Sequence, residues 1–248
     1  MMRFYLFASG SKGNCCVISN QNATIVIDCG TNKKYLNKCF RQVEVTPTEI
    51  DALLITHSHT DHISAISLFK EIKTYSMKEL NENTHFVTPF ERFYIKDFMI
   101  EVLPMSHDSD DCVGYVIHTQ NEKLVYVTDT GYVREDVKAY IQNADYYIFE
   151  SNHDLEMLMD TKRPLYLKQR IAGDCGHLCN EVSAGILSDV IGEKTKEIVL
   201  AHISEEANTP QQALCVLNEK LELKKKDASQ IKIHAALQYD IYQGGSYD

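Results

Sequence analysis

The chain has 248 residues, 44% apolar and 24% charged, with 25 Lys and Arg against 35 Asp and Glu for a formal net charge of −10. This length is ample for a sizeable α/β core, and no run of about 18 apolar residues is present, which excludes a transmembrane helix. An acidic surface repels nucleic acid, so any contact with a phosphate backbone has to be local.

In chain order, residues 3–8, 15–19 and 24–28 read as short strands, separated by a Gly/Ser loop and an Asn-Gln-Asn turn. A helix is predicted over 32–43, a buried strand over 51–56 and a helix over 63–72. The middle is strand-rich, at 93–95, 98–103, 113–119 and 123–128. Helices follow at 134–141, 177–190 and 209–219, with strands at 146–149, 197–201 and 231–234 between and after them. Sheets of this kind need helical cover, which a β-sandwich clad by helices on both outer faces supplies. With no repeat, low-complexity tract or Pro/Gly-rich linker, residues 1–248 read as one domain, with 238–248 a flexible or late-packing tail.

The N-terminal apolar run is too short for a signal peptide, and the eight cysteines show no disulfide-scaffold spacing, so a cytoplasmic protein is expected. Cys175 and Cys179 suggest a zinc knuckle, but no second ligand pair lies near them and they read as small buried or semi-buried thiols. Basic patches at Lys33, Lys34, Lys38 and Arg41, and at Lys162, Arg163, Lys168 and Arg170, are candidates for local phosphate contact. Most such runs are plain solvated faces.

The most specific chemistry lies in Thr56-His57-Ser58-His59-Thr60-Asp61-His62, which follows an apolar strand. In extended backbone, residues two apart face the same way, so His57 and His59 can converge on one metal ion. Asp61 and His62 sit where the chain turns into the next element and can face a second ion. Imidazoles with a carboxylate suit zinc, manganese or iron. His107, Asp129 and His202 each follow the end of an expected strand and complete a donor set in which Asp129 bridges two divalent ions.

This set, H-x-H-x-D-H followed by a distant His, an Asp and a final His, resembles that of the metallo-β-lactamase superfamily. The stretches FASGSKGNC, VIDCG, THSHTDH, SHDSDDCVGY, VTDTGYV, IFESNHD, LKQRIAGDCGHLCNE and LAHISEEANTP further resemble the YycJ/WalJ family of bacterial hydrolases. The resemblance implies a four-layer αββα sandwich. It also implies His57, His59 and His107 on one metal, Asp61, His62 and His202 on the other, and Asp129 between them. Asp28 would orient ligands from behind. The implied activity is metal-assisted phosphodiester hydrolysis of nucleic acid, as a DNA nuclease working 5′ to 3′. Asp61 would orient or deprotonate the attacking water, and His177, at a helix N-terminus, would be the general acid.

Ser11 and Asn14, in a loop of small residues, and Asn152 and His153, after a strand end, are candidate substrate contacts. A thioester or other small-molecule hydrolase on the same fold, and a non-catalytic metal-binding protein, are the alternatives. Oligomeric state is not legible in the sequence.

Overall fold

A computed structural model of the protein describes residues 1–246. Its strands are β1 (Arg3–Ala8), β2 (Cys15–Ser19), β3 (Thr24–Ile27), β4 (Ala52–Leu54), β5 (Thr74–Ser76), β6 (Thr84–Phe86), β7 (Arg92–Ile95), β8 (Phe98–Pro104), β9 (Val113–His118), β10 (Lys123–Val127), β11 (Tyr146–Glu150), β12 (Glu197–Ala201), β13 (Lys232–Ala235) and β14 (Tyr242–Gly245). The helices are α1 (Lys33–Gln42), α2 (Thr60–Ile63), α3 (Glu135–Ile141), α4 (Leu155–Asp160), α5 (Leu165–Ala172), α6 (Asn180–Val190) and α7 (Pro210–Leu223).

The strands form two seven-stranded sheets, ordered β14-β1-β2-β3-β4-β5-β6 and β13-β12-β11-β10-β9-β8-β7. Each is half antiparallel and half parallel, the parallel pairs being β3 to β6 in the first and β10 to β13 in the second. Strand alternation sorts the side chains between layers. Phe4, Leu6, Ile27 and Leu54 face Ile100, Tyr115, Tyr126, Ile148 and Val199 in the core between the sheets. Tyr5, Phe7, Val26 and Leu53 point the other way and pack with Leu36 and Phe40 of α1. On the far side, Tyr147, Phe149 and Ile198 meet Val137, Leu187, Leu217 and Leu221 of α3, α6 and α7. The expected αββα sandwich is therefore the observed fold.

Several elements differ from expectation, and each difference has a tertiary cause. The helix expected over 63–72 is instead the single turn α2 and a 3₁₀ turn at Ile66–Phe69. A crossing chain takes up its backbone groups, since Cys29 N–H donates to His62 O (2.7 Å) and Ala65 N–H to Cys29 O (2.9 Å). The tail expected to be flexible or late-packing contributes β14, which pairs antiparallel with β1 and whose Gly245 N–H donates to buried Glu197 (2.9 Å); residues 247–248 lie outside the described part. The helix expected from 177 starts at Asn180, with Cys179 as its N-cap. Strands β5 and β6 and the helical pair α4 and α5 have no counterpart in the sequence reading.

Ile148 is wholly buried between the two sheets. Ile148→Ala is expected to lower the free energy of unfolding by about 2–5 kcal/mol in chemical denaturation. A loss well below 1 kcal/mol would show that the layers do not share a cooperative core.

Candidate metal centre

The C-terminal ends of the central strands of both sheets meet at one edge of the sandwich, and the polar residues just beyond those ends converge there. Asp28 follows β3, His57 follows β4 by way of Ile55 and Thr56, Asp129 follows β10, Glu150 closes β11 and His202 follows β12. Pairing of β11 with β12 sets Glu150 opposite Ala201, one residue short of His202. Asp28, Asp129 and His202 all have left-handed backbone, with φ of 59°, 56° and 54°. For residues with a Cβ that conformation is uncommon and costs energy, and it persists only where the surroundings over-determine it.

Hydrogen bonds behind the imidazoles decide which way they face. His62 Nδ1 donates to Asp28 Oδ2 (2.8 Å), and Asp28 also accepts from Thr56 N–H (2.8 Å) and Thr56 Oγ1 (2.9 Å). His107 Nδ1 donates to Gly176 O (3.1 Å), and His202 Nδ1 to Glu150 Oε1 (2.9 Å). Each Nε2 is thereby left with its lone pair toward the interior, as metal-ligating histidines require. His62 Nε2 lies 3.4 Å from Asp129 Oδ2, and His202 Nε2 lies 3.5 Å from Asp129 Oδ1, so this carboxylate spans the gap between them.

The structure brings all seven proposed donors together. Ligating atoms of His57, His59 and His107 lie within 4.8 Å of one another, as do those of Asp61, His62 and His202, and those of His57, His62 and Asp129. The ring centroids of His57 lie 4.5, 4.0 and 5.1 Å from those of His59, His62 and His107. Burial, with the neighbouring rings, pushes His57 far below the usual imidazole range, so it is a neutral donor.

A divalent cation fits this donor set. His57 Nε2, Asp129 Oδ2 and His202 Nε2 are buried without a hydrogen-bond partner, an arrangement costly to leave uncompensated. Burial drags the His62 imidazole down, yet Asp28 and Asp129 outweigh it and lift it to about 9. Burial likewise opposes ionisation of Asp129, but His202 and His62 hold it well below the usual carboxylate range. The negative charge here demands a cation, and a metal ion meets that demand while leaving the imidazoles neutral.

The opening is a cleft of about 250 Å³ lined by Ser11, His59, Asp61, Asp108, Arg170 and His177, among others. Asp61 has 28% of its side chain exposed there. His177 lies in the segment before α6, with its Nδ1 2.9 Å from Glu150 Oε1 and 3.8 Å from Asp129 Oδ1. Burial lowers it, but Glu150 more than compensates and raises it to about 9.

Glu150 was missed in the sequence. It is wholly buried and accepts from the backbone N–H of Asp129, Thr130 and Leu178 as well as from His177 and His202. Burial opposes its ionisation, yet the two imidazoles hold it at about 2. The available signal was a carboxylate directly after the apolar strand expected over 146–149. Asp108 was also overlooked, and it lies 3.0 Å from His107 Nε2 and 3.9 Å from His59 Nε2.

Of the four expected substrate contacts, only Ser11 lines the cleft. Asn14 is buried, with its amide nitrogen 2.9 Å from His62 Nε2 and its oxygen accepting from Gly10 N–H. Asn152 donates to His202 O (2.8 Å) and so braces a donor residue. His153 is completely buried, and neither ring nitrogen has a hydrogen-bond partner. All eight cysteines are free, and no metal-capable group among the described residues includes Cys175 or Cys179. Cys179 is buried, whereas Cys175 is exposed, contrary to the expectation of a buried or semi-buried thiol.

Residues 23–203 match the model of the beta-lactamase superfamily domain. The chain is 34% identical over 238 residues to exodeoxyribonuclease YycJ of Bacillus anthracis, covering 90% of each chain. It is 31% identical over 228 residues to exodeoxyribonuclease WalJ of Streptococcus pneumoniae, covering 85% of each. Its fold is similar to the crystal structure of the metallo-beta-lactamase fold protein YhfI from Bacillus subtilis, with a TM-score of 0.70, 18% identity and coverage of 98% and 99% of the two chains.

Because Glu150 anchors both His202 and the backbone of Asp129, Glu150→Gln is expected to weaken metal binding by about 10–100-fold in a chelator-competition titration. Unchanged affinity would show that the Glu150 hydrogen bonds do not orient the donors.

Proposed function

From a chain that belongs to the beta-lactamase superfamily and, within it, to the YycJ/WalJ family, we propose a dinuclear metal-dependent phosphodiesterase that degrades DNA as a 5′-to-3′ exonuclease. The observation that carries this reading is the Asp129 carboxylate, set between inward-turned histidines from both sheets. His57, His59 and His107 would hold one ion, and Asp61, His62 and His202 the other, with Asp129 shared. Zinc and manganese both suit such donors, and iron is compatible. Bound there, the ions supply Lewis acidity to the phosphate oxygens and lower the pKa of water.

The residues of the chain do the rest. Asp61, partly exposed at the cleft, accepts a hydrogen bond from the attacking water and orients it. Glu150 keeps His177 protonated and holds its ring by Nδ1, leaving Nε2–H to protonate the leaving oxygen. An alkoxide leaves poorly without a proton whereas a thiolate leaves readily, so a built-in acid favours phosphodiesters over thioesters. Asp28 and Glu150 fix the rings from behind, and Ser11 lies at the rim where substrate enters. The net charge of −10 opposes polyanion binding over the surface at large, so nucleic-acid contact has to be confined to a local site such as this cleft.

We read the chain as one domain acting in the cytoplasm. The free cysteines support that placement, and no helix of the described residues is long and apolar enough to cross a membrane.

A 5′-phosphorylated linear duplex labelled at one end, incubated with manganese, zinc or chelator, tests the proposal. Metal-dependent shortening from the 5′ end is expected, and His59→Ala or Asp129→Ala should reduce it at least about 10³-fold. No cleavage in either metal, despite two bound ions per chain, would overturn the nuclease reading in favour of a small-molecule hydrolase.

A further inference from the structure

Two of the four cations of the second basic patch are engaged locally. Arg163 pairs with Glu206 at 3.0 Å, and Lys168 Nζ donates to Met159 O. Arg170 differs, being the one Lys or Arg among the described residues lining the metal cleft, with 64% of its side chain exposed. Arg170 pairs with Asp108 at 3.4 Å, and the other oxygen of Asp108 faces His107 Nε2. A guanidinium has five N–H donors, and one exposed carboxylate at that distance engages few of them. Such pairs contribute little and exchange readily for a better anion.

The backbone beneath Arg170 is, by contrast, tightly placed. A Cβ at Gly176 would fall 2.2 Å from both Arg170 O and Ile171 O, and one at Gly131 would fall 2.2 Å from Gly173 O. The end of α5 thus packs directly on the segment whose Gly176 O holds His107 and on the turn that follows Asp129. An exposed, strongly donating side chain is mounted on the metal centre with no room for that mount to slip. One helical turn earlier, at the i−4 position that shares a helix face with Arg170, Tyr166 is 72% exposed.

We propose that α5 is the track along which the substrate strand passes the metal cleft, with Arg170 clamping a backbone phosphate and Tyr166 stacking a base one turn away. The inference rests on the phosphodiesterase reading and names the face that recognises the polymer. Arg suits the clamp because its planar fork matches two phosphate oxygens, and stacking on Tyr is tolerant of base identity.

The test uses a fluorescein-labelled single-stranded oligonucleotide and the full chain. Anisotropy across a salt series in chelator reads binding without turnover, and the same strand with manganese reads digestion. Arg170→Ala should weaken binding and lower the slope of log affinity against log salt by about 0.7, the share of one phosphate contact on a single strand. Arg170→Lys should restore the slope but not the full rate of digestion. Tyr166→Ala should weaken binding about fivefold or more and leave the slope unchanged. If Arg170 serves only to neutralise Asp108 or the α5 dipole, Arg170→Ala will lower the melting temperature or metal content at an unchanged salt slope, and the proposal is overturned. If the wild-type chain digests the 5′-phosphorylated duplex but neither binds nor digests the single strand, the α5 track is overturned; if it digests neither, the nuclease reading itself fails.

Discussion

The centre depends on three hydrogen bonds made behind it: His62 to Asp28, His107 to Gly176 O and His202 to Glu150. Each commits Nδ1 to an outer acceptor and so favours the tautomer whose Nε2 carries the lone pair a cation would use. Without them the rings would rotate, and the remaining donors would be a cluster of polar groups with no reason to stay out of water. Two of the three acceptors are carboxylates buried without an Arg or Lys partner. That choice is stable only where positive charge can reside nearby, first as protons on imidazole and then as metal ions.

The sandwich makes those bonds available because the parallel halves of both sheets end at the same edge. Residues just past the strand ends then approach from opposite layers, and left-handed backbone at Asp28, Asp129 and His202 turns each side chain back across its strand end. The strain is held in place by the cores on either side of each sheet. Glu150 adds a second linkage, joining a metal donor, the candidate acid and the backbone of Asp129 through one carboxylate. A change at that position is felt by all three.

Charge is arranged with the same economy. The surface is acidic overall, while the cleft admits a single guanidinium beside its carboxylates. The described cleft sets Asp61, Asp108 and Asp129 against Arg170, so bound cations would be what makes it attractive to an anion.

Much of this was legible in the sequence, for physical reasons that also mark where legibility stops. The H-x-H-x-D-H run is local, and the geometry of extended chain turning into a helix is enough to aim its four side chains at one place. His107, Asp129 and His202 were visible because a polar residue shortly after an apolar strand stands out in the sequence even where it is buried in the fold. Glu150 was passed over because it closes the buried run of β11, and the groups that bond it, His177, His202 and the backbone of Asp129, come from segments distant in the chain. The helix expected over 63–72 failed when Cys29 took its hydrogen bonds, and the tail became a strand because β1 offered an open edge. The sequence by itself determined the donor chemistry, the alternating layers and the sandwich, since these depend on residue type and short-range periodicity. Only the tertiary structure decided which acceptor holds which ring, that Asn14, Asn152 and His153 are buried rather than facing the cleft, and that Arg170 stands at its rim. Those outcomes are set by contacts between residues tens to hundreds of positions apart, which no local pattern encodes.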